Sequence, residues 1–131
     1  MNEKFDVVVV GGGVCGSFSA LTAARLGAKV VVCEEHREIG VPQHCPGHVS
    51  IHGLKRAGLS LPKKIVENEF KKAVLHSPSG KEFVIEYSSP VTCVLNRKLL
   101  DKHLADTAKR TGVQYLLETR AESLLVDFNF V

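Results

Sequence analysis

No apolar run in the sequence approaches the roughly 18 to 20 residues that a bilayer-spanning helix needs. The valine run from Val7 to Val10 is far too short. Glu3, Lys4 and Asp6 place charges where a secretory signal would have its apolar core. A soluble, cytoplasmic protein is therefore the expectation. CxxC pairs are also missing. Cys15, Cys33, Cys45 and Cys93 stand apart, and in a reducing compartment they read as thiols rather than a disulfide framework. Neither sign of charge dominates: 17 basic residues face 14 acidic ones, for a net charge of +3. With no basic stripe, the chain is not expected to bind nucleic acid. Internal repeats and low-complexity linkers are absent as well.

What is present is an ordinary globular balance, 44% hydrophobic and 24% charged over 131 residues. A chain near this length buries roughly two-thirds of its unfolded surface, enough for one domain with a real core. Residues 5–10 form a short, almost wholly apolar and β-branched run, the mark of a strand inside a parallel sheet. Gly11-Gly12-Gly13 breaks it. Residues 14–26 then read as a helix, with Phe18, Ala20, Leu21, Ala23 and Ala24 as its packing face and Gly27 closing it. Residues 29–33 are a second apolar strand, ending at Glu34-Glu35. Strand, helix and strand make a βαβ unit.

Residues 36–61 carry proline, glycine and histidine without a sustained period and read as a loop, with a helical piece at 51–57. A hairpin follows from 70–76 and 82–87, turned by Ser77-Pro78-Ser79-Gly80. Asn96 is placed to N-cap a helix over 97–111. Leu100, Leu104 and Ala108 form its apolar face, Asp101, Lys102, Asp106 and Lys109 its polar side, and Gly112 its end. Strands are expected at 113–117 and from 124 to 130.

The chemistry is carried by Gly11-x-Gly13-x-x-Gly16. Alone this spacing is weak evidence, but here it follows a strand and opens a helix, the context that gives it meaning. Gly11 permits the tight turn, Gly13 lets backbone approach a pyrophosphate, and Gly16 lets helix and strand pack closely. Free N–H groups at the helix start favour phosphate charge. Glu34 ends the second strand, where a carboxylate accepts hydrogen bonds from an adenosine ribose and opposes a 2′-phosphate. FAD or NAD is expected over NADP. The alternative is a glycine turn in another α/β protein, with Glu34 a solvated strand end.

Asp6-Val7-Val8-Val9-Val10-Gly11-Gly12-Gly13-Val14-Cys15-Gly16, with Glu34, resembles FAD-dependent oxidoreductases more than NAD dehydrogenases. Glu38-Ile39-Gly40-Val41-Pro42-Gln43-His44-Cys45, followed by Gly47 and Ser50, looks like a loop of the geranylgeranyl reductase family. Val94-Leu95-Asn96-Arg97, then Asp101 and Leu104-Ala105, is similar to that family's Arg-containing helix start, which aromatic-hydroxylase-like flavoproteins share. The resemblance implies an α/β, Rossmann-type FAD-binding domain with an inserted β-hairpin. It further implies an enzyme that saturates isoprenoid double bonds of membrane lipids, with FAD carrying the hydride and a ferredoxin or NAD(P)H as electron donor. Peripheral membrane contact follows only from such a lipid substrate.

Carried over by position, the resemblance puts Cys15 against FAD through its backbone and Glu34 on the ribose. Cys45, Pro46 and His48 fall along the loop passing the flavin, Arg97 reaches the cofactor, and Ala121 packs near the adenine. Arg97 also has a physical case of its own, because a guanidinium at a helix start can pair with pyrophosphate. The opposing reading is a solvated cation at an end that the helix dipole disfavours.

The pattern departs from the family at His44, where arginine is usual, and at Gly47 and His48, where an acidic residue and glycine follow the loop cysteine. The family's later Gly-Asp motif and its substrate domain have no counterpart. Residues 1–131 are therefore expected to be the N-terminal part of an FAD-binding domain, incomplete relative to the family and without turnover alone. Two alternatives are a monooxygenase of the aromatic-hydroxylase type and a non-catalytic nucleotide-binding module. Cys45, His48 and His52 also have helical spacing for a zinc site, but Pro46 and Gly47 interrupt such a helix, and no metal is expected. Lys63-Lys64 and Lys71-Lys72 read as solvated charge.

Overall fold

A computed structural model describes residues 3–126. The chain divides into two compact units: one runs up to Pro42 and resumes at Asp101, and the other is Gln43–Leu100.

The first unit is built on a parallel sheet. Strand β1 (Val7–Val10) pairs with β2 (Val30–Cys33) in the register Val7↔Val30, and β2 pairs with β8 (Gln114–Leu116) in the register Val31↔Gln114. Both pairings are parallel, and the crossover helix between β1 and β2 makes the first of them so. That helix, α1 (Val14–Arg25), ends at Leu26, and Gly27 takes the positive φ of +93° that a helix terminus of this kind needs. Its packing face is smaller than the apolar pattern suggested, with Ser17, Ala20 and Leu21 buried. Ala20 and Leu21 meet Val30, Val32 and Val113 from the strand segments and Ala108 from helix α3 (Arg97–Arg110) in one core cluster. The small side chains at 20 and 108 let helix backbones lie close to the sheet.

The second unit is more than the hairpin expected from the sequence. Strands β3 (His48–Ser50), β7 (Thr92–Leu95) and β4 (Val66–Phe70) form an antiparallel sheet in the order β3-β7-β4, with a register shift between Val66 and Asn68. The hairpin itself, β5 (Lys72–His76) with β6 (Glu82–Glu86), matches the expected alternation and turns at Gly80, where φ is +79°. Helix α2 (Ile51–Arg56) is capped by Ser50, whose Oγ accepts from the Gly53 N–H at 3.2 Å. A single turn of 3-10 helix, Lys63–Ile65, precedes β4. Ile65, Cys93 and Leu95 are the fully buried residues of this unit's strand region.

Helix α3 starts where Asn96 predicts. Asn96 Oδ1 accepts from the Leu99 N–H at 3.0 Å, and Leu100, Leu104 and Ala108 are buried. Asp101, expected on the polar side, is instead 6% exposed. Most of the strand expected over 124–130 lies outside the described residues, and its described part, 124–126, is not in a strand. Among the described residues, no helix is long and apolar enough to cross a membrane.

Candidate dinucleotide site

The glycine loop lies between β1 and α1, and each glycine has a different reason to be there. Gly11 has φ at +94°, in the left-handed region, and its N–H donates to the Cys33 carbonyl at 2.8 Å. A Cβ on Gly16 would overlap the Gly11 carbonyl oxygen, so the third glycine is needed for the loop to fold onto the helix. Gly12 is buried, and a Cβ there would meet Ile39 Cδ1 at 2.6 Å. Gly13 differs: its φ of −70° is ordinary, and a Cβ would meet only Asp101 Oδ2 at 3.8 Å. The fold itself tolerates a side chain at 13.

The loop is pinned from both sides. Gly12 donates its N–H to Glu34 Oε2 at 2.6 Å, and the Gly12 carbonyl accepts from Ser17 Oγ at 2.8 Å. Ser17 is fully buried and in turn accepts from the Tyr115 hydroxyl at 2.9 Å. Burial pushes the Tyr115 phenol up from its ordinary value, against the hydrogen bond to Ser17. These links run from β8 through α1 to the loop and on to the end of β2.

Glu34 is 8% exposed. Burial works against its charge. Hydrogen bonds from the Gly12 N–H, the His36 N–H at 2.9 Å and the His36 ring at 2.6 Å outweigh that and hold the carboxyl below its ordinary value. His36, which opens the segment read from the sequence as a loop, is thus a direct partner of Glu34. Ser17 and Tyr115 were also missed, since a serine in an alanine-rich helix and a tyrosine on a distant strand share no spacing signal.

Helix α1 begins at Gly13 with no side-chain cap and no acidic residue in its first turn. Its first N–H groups therefore point out of the helix without an intrahelical partner. Anionic groups are favoured there by both the free donors and the helix dipole. Cys15, exposed, sits in this first turn. Ala121 also belongs to the first unit and is exposed.

The remaining sequence-predicted residues lie in the second unit. Cys45 is half-buried, and its Sγ accepts from the Gly47 N–H at 3.4 Å. Gly47 has φ at +80°, and a Cβ there would overlap the Leu95 carbonyl oxygen. Gly47 is thus required by the approach of this loop to β7, where the Leu95 N–H donates to the Gly47 carbonyl at 2.9 Å. Pro46 and His48 line an open trough of about 590 Å³, with Phe70, Ile85, Tyr87 and Val94 among its walls and Lys71 and Lys72 beside them. His48 meets Phe70 edge-on, with ring centroids 6.0 Å apart. Arg97 opens α3 and is half-buried.

The zinc alternative loses its geometric premise. Cys45 precedes β3, His48 lies on that strand and His52 lies on α2, so no single helix presents all three. Among the described residues, no group of three or more His, Cys, Asp or Glu side chains is placed to hold a metal.

Comparison with known proteins agrees with this geometry. The model of the FAD dependent oxidoreductase family matches residues 6–129. The chain is 38% identical over 124 residues to digeranylgeranylglycerophospholipid reductase 2 of Methanopyrus kandleri, covering 95% of this chain and 31% of that protein. It is 42% identical over 125 residues to the digeranylgeranylglycerophospholipid reductase of Methanothrix thermoacetophila, covering 93% and 32% respectively. Among solved structures, a geranylgeranyl bacteriochlorophyll reductase-like protein from Thermoplasma acidophilum superposes with a TM-score of 0.89 at 33% identity. That superposition covers 96% of this chain and 33% of the other. The chain thus spans about a third of the length of the relatives it matches. A family match over nearly its whole length, on a parallel α/β fold with the glycine loop between β1 and α1, means that the chain belongs to the FAD-dependent oxidoreductase family.

Proposed function

We propose that this chain supplies the adenosine- and pyrophosphate-binding part of a geranylgeranyl reductase-type flavoenzyme, one that saturates isoprenoid double bonds of membrane lipids. The observation that carries the reading is the buried Glu34 carboxylate at the end of β2, hydrogen-bonded to the glycine loop at Gly12 beside the uncapped start of α1. FAD, when bound and reduced by two electrons from a ferredoxin with protons from water, or by a hydride from NAD(P)H, would supply the hydride. The chain's own residues would bind and orient it. Gly11 and Gly16 shape the loop, Gly13 and Cys15 offer close backbone approach to the pyrophosphate, and Glu34 accepts from the ribose hydroxyls. The tolerance of the fold for a side chain at 13 supports this, because a glycine that packing does not require suits a ligand lying against it.

Cys45, Pro46, His48, Arg97 and Ala121 are assigned to the cofactor on the family resemblance. The trough beside Pro46 and His48 is lined mainly by apolar side chains, with Lys71 and Lys72 at its side. Such a lining suits an alkyl chain with an anionic end, and it supports a lipid substrate that brings the protein to a membrane surface. The relatives' names, which refer to a glycerophospholipid, support the same reading.

The test is flavin retention. The purified chain is mixed with FAD, freed of excess and examined by visible absorbance. A flavin spectrum should persist in the unsubstituted chain and fall about tenfold or more in Gly13→Val and Glu34→Ala, in line with losing one charge-assisted contact of about 1.5 to 3 kcal/mol. Equal retention in all three proteins sinks the assignment.

A further inference from the structure

The Ser17 hydroxyl is fully buried, and its two neighbours fix the way its proton points. The Gly12 carbonyl can only accept, so Ser17 Oγ donates to it at 2.8 Å. Its one proton spent, Ser17 Oγ accepts in turn from the Tyr115 hydroxyl at 2.9 Å. The result is a relay of one polarity, from Tyr115 through Ser17 to Gly12. Hydrogen bonds in such a chain polarise one another, and burial strengthens each of them. The phenol keeps its proton at neutral pH, since burial pushes it up from its ordinary value.

The donor end of the relay is held firmly. Tyr115 stands opposite Val32 in the sheet and packs against the core cluster, and Lys109 Nζ of α3 lies 5.1 Å from its ring centroid. The other end of the relay is a single peptide plane. The peptide between Gly12 and Gly13 is trans, so its carbonyl and its N–H point in opposite directions. Anchoring the Gly12 carbonyl on Ser17 therefore turns the Gly13 N–H away from the buried hydroxyl. Gly13 is also the loop glycine with room beside it, where a Cβ would meet only Asp101 Oδ2 at 3.8 Å.

We propose that Ser17 and Tyr115 are positioning residues for the pyrophosphate: their hydroxyl relay sets the direction of the Gly13 N–H and so the affinity for the phosphate part of the cofactor. Both act through the Gly12 carbonyl rather than by touching the ligand. This rests on the reading of the glycine loop as a dinucleotide site. The relay as mere packing between α1 and β8 makes a different prediction, because packing does not distinguish one part of a ligand from another.

The experiment titrates ADP and adenosine separately into the 131-residue chain, with the backbone amides followed by NMR. Tyr115→Phe removes the first donor and keeps the ring. It should shift the Gly13 amide signal before any ligand is added, weaken ADP about threefold or more, and leave adenosine unchanged. Ser17→Ala breaks the relay at its centre and should weaken ADP about tenfold. If Ser17→Ala does not fold, Tyr115→Phe at its half-buried site decides alone. Val30→Ala trims the same core cluster at the far end of β2 from Glu34. It should lower the unfolding midpoint and leave the ratio of ADP to adenosine affinity as in the parent. A parental ratio in Tyr115→Phe overturns the proposal, and so does an equal fall of the ratio in Val30→Ala. Failure of the unsubstituted chain to bind either ligand removes the dinucleotide reading itself, and the proposal with it.

Discussion

At the scale of single residues, two glycines of one motif separate structure from ligand binding. Gly16→Ala gains helix propensity of about 1 kcal/mol, but its Cβ would overlap the Gly11 carbonyl oxygen, which is backbone and cannot swing aside. Overpacking of that kind costs about 1 to 3 kcal/mol and should win, lowering the denaturant midpoint. Gly13→Ala meets only ordinary contact at 3.8 Å and keeps an accessible φ, so its stability should stay within about 0.5 kcal/mol of the parent. Urea unfolding of both variants checks the pair, and a Gly13→Ala chain as unstable as Gly16→Ala would move Gly13 to the structural side. Glu34 adds a pH dependence. Its folded-state carboxyl lies below the ordinary 4.5, so the stability it contributes is present above that value and is lost as pH falls through the lower folded value. Acid unfolding of Glu34→Gln should lack that step, and an identical acid limb in both proteins would refute it. The placement of the glycine loop between β1 and α1, and of Glu34 just after β2, was legible because a strand, a glycine turn and a helix each leave a local pattern. His36, Ser17 and Tyr115 were not, because their roles arise from contacts across elements that no local period encodes.

At the scale of elements, helix α3 shows what local sequence can specify. Asn96 uses its whole amide: Oδ1 caps the Leu99 N–H at 3.0 Å, and Nδ2 donates to Glu67 Oε1 at 3.0 Å. Asn96→Ala should cost about 1 kcal/mol by removing the cap. Asn96→Asp should keep the cap while placing a second carboxylate against Glu67, and so cost less than alanine in high salt, where that repulsion is screened. Thermal melts at low and high salt distinguish the two, and a salt-independent difference would remove Glu67 from the account. The antiparallel sheet β3-β7-β4 was missed for a physical reason. Its strands are three to five residues long, and β4 reads Val-Glu-Asn-Glu-Phe with a register shift inside it. Strand identity here comes from pairing at long sequence separation, whereas the β5–β6 hairpin is written locally by its alternation and its Gly80 turn. Asp101 shows the converse limit: a polar residue placed by helical period on the outer side is buried by what the helix meets.

At the scale of the molecule, the residues proposed to recognise adenosine and pyrophosphate, Glu34 and the glycine loop, lie together in the unit that contains the parallel sheet. The flavin ring is then unnecessary for stabilising that unit, and ADP should suffice. A ligand that binds only the folded state at a hundredfold excess over its Kd stabilises by about 2.7 kcal/mol. For a domain of this size that is a rise of roughly ten degrees or more in the melting transition. Calorimetry with ADP should show it. An otherwise identical nucleotide bearing a 2′-phosphate should raise the transition less, because the ionised and buried Glu34 carboxylate opposes a second anion at the ribose. Glu34→Gln should narrow the gap between the two nucleotides by weakening ADP and relieving the repulsion together. If ADP leaves the transition where it was while FAD raises it, the affinity resides with the flavin end. The βαβ unit would then position the cofactor without holding it.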